Sequence, residues 1–381
     1  MLQLSVWEKE SFFEPSDIVI AGSGFVGLWC AWYLKKLEPK LSITILDRGI
    51  IPTGASTRNA GFACFGSLTE LVANTREMGE DQMLQLVEMR YKGLKKITKL
   101  FSEHIIGYER HGGYELITPG QNKNINELRS DIDNLNRLLK KIVGEQKTFR
   151  IQNDKLVQFG FTDTRYLIEN KLEAQLHSGW LSQALLQTVQ SVGVTVLNGI
   201  GITGYENQNN GLTIHTSIPG LEFKTSQLLV CTNAFAKQLL PDLDIIPARG
   251  QVLLTSPIKK LPFKGTFHFD EGFYYFRNLD DRILLGGARN KAFETETTTE
   301  MATTDLIQEE LERFLREVII PGKDFKIENR WSGIMGMGHE KMPIIREVQN
   351  NVFCAVRMSG MGVALAPVVG QKLAALMTGK N

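Results

Sequence analysis

The chain has 381 residues, with 43 Lys and Arg against 42 Asp and Glu and a formal charge of +1. That length leaves room for two domains with buried cores, and the charge balance gives no electrostatic case for nucleic acid or an acidic membrane surface as partner. Four cysteines, Cys30, Cys64, Cys231 and Cys354, stand far apart with no C-x-x-C pair; three of them lie in apolar runs, as buried free thiols do in a reducing compartment.

Residues 1–16 read as a surface arm. Its acidic residues Glu8, Glu10 and Glu14 and the lack of an apolar core argue against a secretory signal. No stretch approaches the roughly 18 apolar residues of a membrane span, so a soluble, cytoplasmic protein with no membrane span and no nucleic-acid partner is expected. A strand at 17–21 then runs into the turn Gly22-Ser23-Gly24-Phe25-Val26-Gly27, a helix at 28–38 and a second strand at 41–46 that ends at Asp47. Strand, G-x-G-x-x-G, helix, strand and terminal acid together form a dinucleotide fingerprint. Gly22 permits the tight turn, Gly24 lets backbone amides approach a pyrophosphate, and Gly27 lets the helix pack closely on the strand. The helix N-terminus favours the anion, and Asp47 would accept hydrogen bonds from a ribose.

A loop of small residues follows at 54–61, then helical patterning at 68–103 and an amphipathic charged helix at 124–143. A helix at 179–192 feeds a short apolar strand at 193–197. A hairpin is expected from 201–206 and 212–216 around a polar turn, and a further apolar strand at 227–232. From 250 onwards the pattern alternates in β fashion, at 250–255, 266–269, 272–276 and 282–286. The threonine-rich tract 294–304 reads as a solvated loop; it leads into a helix at 305–318 stopped by Pro321-Gly322. The chain closes with an apolar strand at 351–356, a glycine-rich turn and a helix at 363–376, and no internal repeat is visible. Nucleotide-type segments thus stand at the start, middle and end. The expected organisation is one nucleotide domain built from 1–85, 150–240 and 330–381, with a sheet-bearing domain from 86–149 and 241–329 inserted.

Four segments in order resemble the D-amino-acid-oxidase-like flavoproteins, the group of glycine oxidase, sarcosine oxidase and the γ-glutamylputrescine oxidases. Gly54 to Gly61, GASTRNAG, resembles the loop that wraps the pyrophosphate and flavin. Leu229-Val230-Cys231-Thr232-Asn233-Ala234 resembles the strand–Thr-Gly-Ala segment, with Asn233 where glycine is usual. Pro247-Ala248-Arg249-Gly250-Gln251 resembles the entry into the substrate domain, and Ser359-Gly360-Met361-Gly362-Val363 the turn at the flavin's pyrimidine edge. The resemblance implies an α/β (overall α+β) fold: a Rossmann-like FAD domain of the glutathione-reductase type with an inserted mixed or antiparallel substrate sheet. It implies cofactor contacts from Gly22, Gly24, Phe25, Val26, Gly27, Asp47, Arg48, Ala55, Ser56, Thr57, Asn59, Ala60, Gly61, Val196, Thr232, Asn233, Gly333, Gly360, Met361, Gly362, Val363 and Ala364. A helix beginning near Met361 to Ala364 would aim amides and a dipole at the charge of reduced flavin. Relatives attach flavin through a cysteine that would fall near Gly333 or a histidine near Arg58; both are absent, so noncovalent FAD is expected. Cys64 is the one thiol near the flavin loop, with packing as its alternative role.

The resemblance also implies hydride transfer to flavin from the carbon beside an amine nitrogen, followed by imine hydrolysis, with a small amine or amino acid as substrate and oxygen or another acceptor reoxidising the flavin. Such chemistry needs orientation and water exclusion more than acid–base groups, and no His or Cys spacing suggests a metal. The cations that relatives use for the substrate carboxylate and for oxygen would fall at Met335, Ala364 and Leu284, none of which is charged. Tyr275, Arg277 and His339 are the candidate catalytic residues. Their alternatives are an ordinary aromatic strand for Tyr275, which shares its face with Arg277, and a surface loop for His339. A 2-hydroxy acid dehydrogenase, an NAD enzyme and a flavin-binding scaffold stay open as alternative functions.

Overall fold

The computed structural model describes residues 3–121 and 123–380; residues 1 and 2 of the expected arm, with 122 and 381, lie outside them. The chain divides into two units. The first comprises residues 1–57, 179–248 and 335–381, the second 58–178 and 249–334. Residues 58–85, 150–178 and 330–334 therefore group with the second unit and 241–248 with the first, in each case opposite to the division expected from the sequence.

In the first unit the strand Ser16–Ala21 pairs in parallel with Ile43–Asp47 on one edge and Glu222–Val230 on the other. Val194–Asn198 extends the sheet beyond Ile43–Asp47, and Val352–Val356 extends it beyond Glu222–Val230, both in parallel. Strands so enclosed read as continuous apolar runs because both faces are covered, and Val19, Ile20, Ile45, Leu228 and Leu229 are wholly buried. The helices Phe25–Leu37 and Gly362–Thr378 pack against each other. Gly370 makes that packing close: a Cβ there would stand 2.8 Å from Trp29. Cys30, Cys231 and Cys354 are buried free thiols, as expected. Within the expected arm, Val6–Ser11 is a short exposed helix closed by a reciprocal Ser5–Glu8 capping box.

The second unit is built on a mixed eight-stranded sheet in the order Ile327–Met337, Ile246–Thr255, Arg282–Gly287, Tyr274–Leu279, Thr266–Phe269, Gly113–Ile117, Tyr166–Asn170 and Phe149–Ile151. One face carries an aromatic core in which Phe267 stacks on Phe276 at 4.6 Å and Phe159, Phe161, Phe263 and Tyr114 surround them. The expected helix at 68–103 is two, Leu68–Met78 and Glu80–Leu100, broken where Gly79 takes φ +84°. Patterning gave no sign of the strands Gly113–Ile117, Tyr166–Asn170, Ile327–Met337 and Ile344–Gln349.

The tract 294–304 is largely exposed, as expected of a solvated loop, with one buried exception. Glu296 is 0% exposed. Its carboxylate accepts two bonds from Arg249, at 2.8 and 2.9 Å, and two from Gln251 at 3.0 Å. The Pro-x-basic-Gly-Gln segment is thus a buried clasp, and the pairing spans a sequence separation of 47 that local composition cannot reveal. Removing one partner of such a pair strands the other charge: Glu296→Leu should lower unfolding stability by about 3–5 kcal/mol, and Arg249→Met/Glu296→Leu by markedly less. Denaturant unfolding of both variants tests this; equal losses would contradict it.

Candidate functional site

The glycine turn begins where Ser16–Ala21 ends. Gly22 takes φ +99°, a region open to glycine, and donates to Leu46 O at 2.8 Å. A Cβ on residue 27 would lie 2.1 Å from the Gly22 carbonyl oxygen, so only glycine lets the helix start this close to the strand. Gly24 is the N-cap and supplies no side chain. The Ser56 hydroxyl accepts from the Phe25 amide at 2.9 Å instead, which brings the loop after the second strand onto the helix N-terminus. Asp47 Oδ2 accepts from the Ser23 amide and hydroxyl, both at 2.8 Å, and Oδ1 from the Gly49 amide at 2.9 Å. The Arg48 guanidinium lies 3.8 Å over the Phe235 ring. Ala55 and Thr57 belong to the short helix Ala55–Arg58, with Thr57 Oγ1 donating to Pro52 O at 2.5 Å. Val196 pairs with Ile45 in the sheet.

Two later turns complete this set within the first unit. Asn233 takes φ +46°, a left-handed conformation that asparagine tolerates better than most residues. This explains how it stands where relatives have glycine. Its Oδ1 accepts from the amides of Arg357 and Met358 at 3.0 and 3.3 Å, tying the turn after Glu222–Val230 to the one after Val352–Val356. Gly360 takes φ +80°, with Met335 Sδ 3.4 Å from where its Cβ would be. Met361 caps the final helix without a side-chain bond, so the first-turn amides of Gly362, Val363 and Ala364 are uncovered by any capping side chain. The buried hydroxyls of Thr232 and Ser359 have no hydrogen-bond partner among the described residues. A cavity of about 530 Å³ beside Asp17, Gln227 and Asn351 lies at the N-terminal ends of these strands, opposite the ends where such sheets bind ligands.

His339 stands apart on the surface of the same unit, its side chain 84% exposed. Asp244 holds it through both the amide, at 3.0 Å, and Nδ1, at 2.6 Å. These bonds, with Arg357 at 2.5 Å, keep the Asp244 carboxyl below the usual carboxylate range.

In the second unit Asn59 Oδ1 accepts from the Gly61 amide at 2.8 Å and the Ser178 hydroxyl at 2.6 Å. Gly61, at φ +71°, leaves space for Leu176 O, 2.2 Å from its missing Cβ. Gly333 packs on Arg58: a Cβ on residue 333 would lie 3.1 Å from the Arg58 Cβ. Arg277 is buried and donates from Nη1 to the carbonyls of Leu176, Gly61 and Ala60 at 2.8, 3.1 and 3.4 Å. Burial draws its pKa down to about 10, which leaves it cationic at neutral pH. It fastens the 58–61 loop to the sheet. Tyr275 shares its face, against Phe62, Ala60 and Leu284, while Tyr274 and Phe276 point into the aromatic core. Burial pushes the Tyr275 phenol up to about 12, against the opposing charge of Arg289.

Sequence reading missed the polar residues beside Tyr275. Across the strands His268 pairs with Tyr275 on one side and with Glu115 on the other. His268 Nε2 is 3.0 Å from Glu173 Oε2, and the neighbouring carboxylates raise the imidazole pKa despite its burial. Cys64 completes a buried group with Glu173 and His268, and burial with Glu173 and Glu70 nearby pushes its thiol well up. His268 and Glu173 are 95 residues apart, beyond any motif spacing. For Arg289 the signal was present: Gly286-Gly287-Ala288-Arg289-Asn290 closes a strand, with Ala288 at φ +59°.

A D-amino acid dehydrogenase of Vibrio atlanticus (strain LGP32) is 23% identical to this chain, over 95% of it and 96% of the relative. Among solved structures, the L-proline dehydrogenase from P. horikoshii superposes with a TM-score of 0.78 at 19% identity, covering 97% of this chain and 95% of its own. The glycine oxidase from Bacillus cereus ATCC 14579 gives 0.74 at 17% identity, with 96% of each chain covered. At those identities the likeness establishes a shared fold. The model of the FAD dependent oxidoreductase family, DAO, matches residues 17–376, and the chain belongs to that family.

Proposed function

We propose that this chain oxidises the C–N bond of an amine or amino acid, with FAD bound noncovalently in the first unit. The observation that carries this reading is the cradle: the Gly22–Gly27 turn, the start of the final helix with no capping side chain, and the buried Thr232 and Ser359 hydroxyls that have no partner among the described residues. Unsatisfied buried hydroxyls are costly, and a dinucleotide rich in acceptor oxygens is a fitting partner for them. Gly24, Phe25, Val26 and Ser56 would hold the pyrophosphate. Asp47 would meet the ribose through the remaining lone pairs of a carboxylate whose orientation Ser23 and Gly49 fix. The amides of Gly362 to Ala364 would face the pyrimidine edge. Neither Gly333 nor Arg58 offers a cysteine or histidine for covalent attachment. Bound FAD supplies the hydride acceptor, at N5, for the carbon next to the substrate nitrogen.

The names of relatives, D-amino acid dehydrogenase and glycine oxidase among them, support an amine or amino acid as substrate. The second unit offers Tyr275 as a neutral phenol beside that substrate. Arg277 is committed to three backbone carbonyls, so Arg289, whose charge acts on Tyr275 and whose guanidinium lies over the Phe293 ring at 4.7 Å, is the cation assigned to an anionic substrate group. With Leu284 in place of the oxygen-promoting lysine, the reading favours an electron acceptor other than oxygen.

Anaerobic mixing with a panel of amines, amino acids and 2-hydroxy acids tests the assignment. An amine or amino acid should bleach the flavin's visible band, and admitted air should restore it slowly. Bleaching by hydroxy acids alone, or by nothing in the panel, would overturn it. Arg289→Met should raise KM at least tenfold for carboxylate-bearing substrates, about 1.4 kcal/mol, while leaving uncharged amines unaffected.

Tyr275 makes a separate pH prediction. Its folded pKa is raised, so the protonated form persists and ionises only near pH 12. Tyr275→Phe should therefore leave both limbs of the kcat/KM–pH profile in place below about pH 10. An alkaline limb that vanishes in the variant would contradict this.

A further inference from the structure

We propose that Cys64, Glu173 and His268 form a binding site for a divalent transition metal, with zinc as the best-matched ion. Their donor atoms, a thiol sulfur, a carboxylate oxygen and an imidazole nitrogen, all lie within 4.8 Å of one another, and all three residues are buried. Sulfur, nitrogen and oxygen donors in a set of three suit zinc, which keeps a fourth position open to water in sites of this kind. Zinc bonds of about 2.0–2.3 Å at tetrahedral angles put donor atoms roughly 3.3–3.8 Å apart. The 3.0 Å separation of His268 Nε2 and Glu173 Oε2 and the 4.8 Å limit of the group bracket that range.

The fold builds the group rather than leaving it to chance. Phe62–Ala63 pairs antiparallel with Ala174–Gln175, Ala63 opposite Ala174, so the next step of the register brings Cys64 opposite Glu173. His268 comes from the neighbouring sheet strand Thr266–Phe269. Gly113 makes the space: a Cβ at that position would lie 2.0 Å from Glu173 Oε2. The carboxylate can occupy its place only because the strand beneath it carries no side chain there. The other acids nearby are already engaged. Glu115 accepts from the Thr69 amide at 3.0 Å, the Ser67 hydroxyl at 3.1 Å and the Thr69 hydroxyl. Glu70 pairs with Arg90 at 2.8 Å. Besides its His268 contact Glu173 makes only long bonds, from Thr266 Oγ1 at 3.4 Å and Asn170 Nδ2 at 3.5 Å, so Cys64, Glu173 and His268 supply the donors.

Binding forms metal–sulfur, metal–Nε2 and metal–carboxylate bonds, and the thiol proton and any Nε2 proton pass to solvent. Up to two protons leave as one divalent cation enters, so the buried charge is nearly conserved. Without metal the same residues make a buried histidine–glutamate contact beside a protonated thiol.

The test uses purified holoenzyme dialysed against a chelator, then loaded with zinc or cobalt(II) and read against the metal-free holoenzyme. Near-stoichiometric zinc per chain is expected after removal of excess metal. Cobalt should give a thiolate-to-cobalt charge-transfer band in the near ultraviolet that Cys64→Ser abolishes and Cys231→Ser retains. His268→Gln should weaken zinc binding at least tenfold. Zinc retention far below stoichiometric, no sulfur–cobalt band in the unmutated protein, or a band that survives Cys64→Ser would each overturn the proposal. The unmutated protein decides the matter even where a variant fails to fold.

Discussion

The first unit depends on one backbone approach, that of residue 27 to the carbonyl of Gly22. With no Cβ at 27 the helix can begin directly above the strand end; any side chain would place a carbon 2.1 Å from that oxygen. Several features of the unit follow from this contact. The helix N-terminus opens at the carboxyl end of the sheet, and Ser23 is carried within reach of Asp47, whose carboxylate then locks the turn to the second strand. Ser56 can reach the Phe25 amide only because Gly24 leaves the helix start bare, with 3.1 Å between the Ser56 oxygen and the place of a Cβ. The C-terminal helix repeats the device from another direction: Gly370 admits the backbone of Trp29 and Cys30, which seats it against the same helix.

The second unit solves a different problem. Its sheet is apolar and aromatic on one face, where Phe267 and Phe276 stack, and mixed on the other, where Tyr275, Arg277, Thr266 and His268 stand in register. Buried polar groups of this kind are tolerated only when partnered. Most are: Arg277 by three carbonyls, Glu115 by Ser67 and Thr69, Glu173 by His268. The alternation of a β-strand turns one sequence, Phe273-Tyr274-Tyr275-Phe276-Arg277, into two surfaces of opposite character.

What the sequence disclosed was local. The glycine fingerprint, the flavin-type loop and the C-terminal turn were legible because tight turns and close approaches demand particular residues at fixed spacing. Asn233 was recognisable as an anomaly and its φ of +46° resolves it. What stayed hidden was non-local. The clasp of Glu296 on Arg249, the commitment of Arg277 to the 58–61 loop and the meeting of Cys64, Glu173 and His268 all join segments that only sheet register brings together. Strands such as Gly113–Ile117 lacked a pattern of their own because both faces are covered, so no polar alternation marks them. His339, chosen for its chemistry, is an exposed loop residue held by Asp244.

In this protein the glycine cradle of the first unit is the place where FAD would be held without a covalent bond. Heat denaturation of the purified protein, with chromatography and mass analysis of the supernatant, tests it most directly. The supernatant should carry FAD and the precipitate should be colourless. A precipitate that keeps the flavin, or a protein that releases a nicotinamide dinucleotide or nothing, would contradict it.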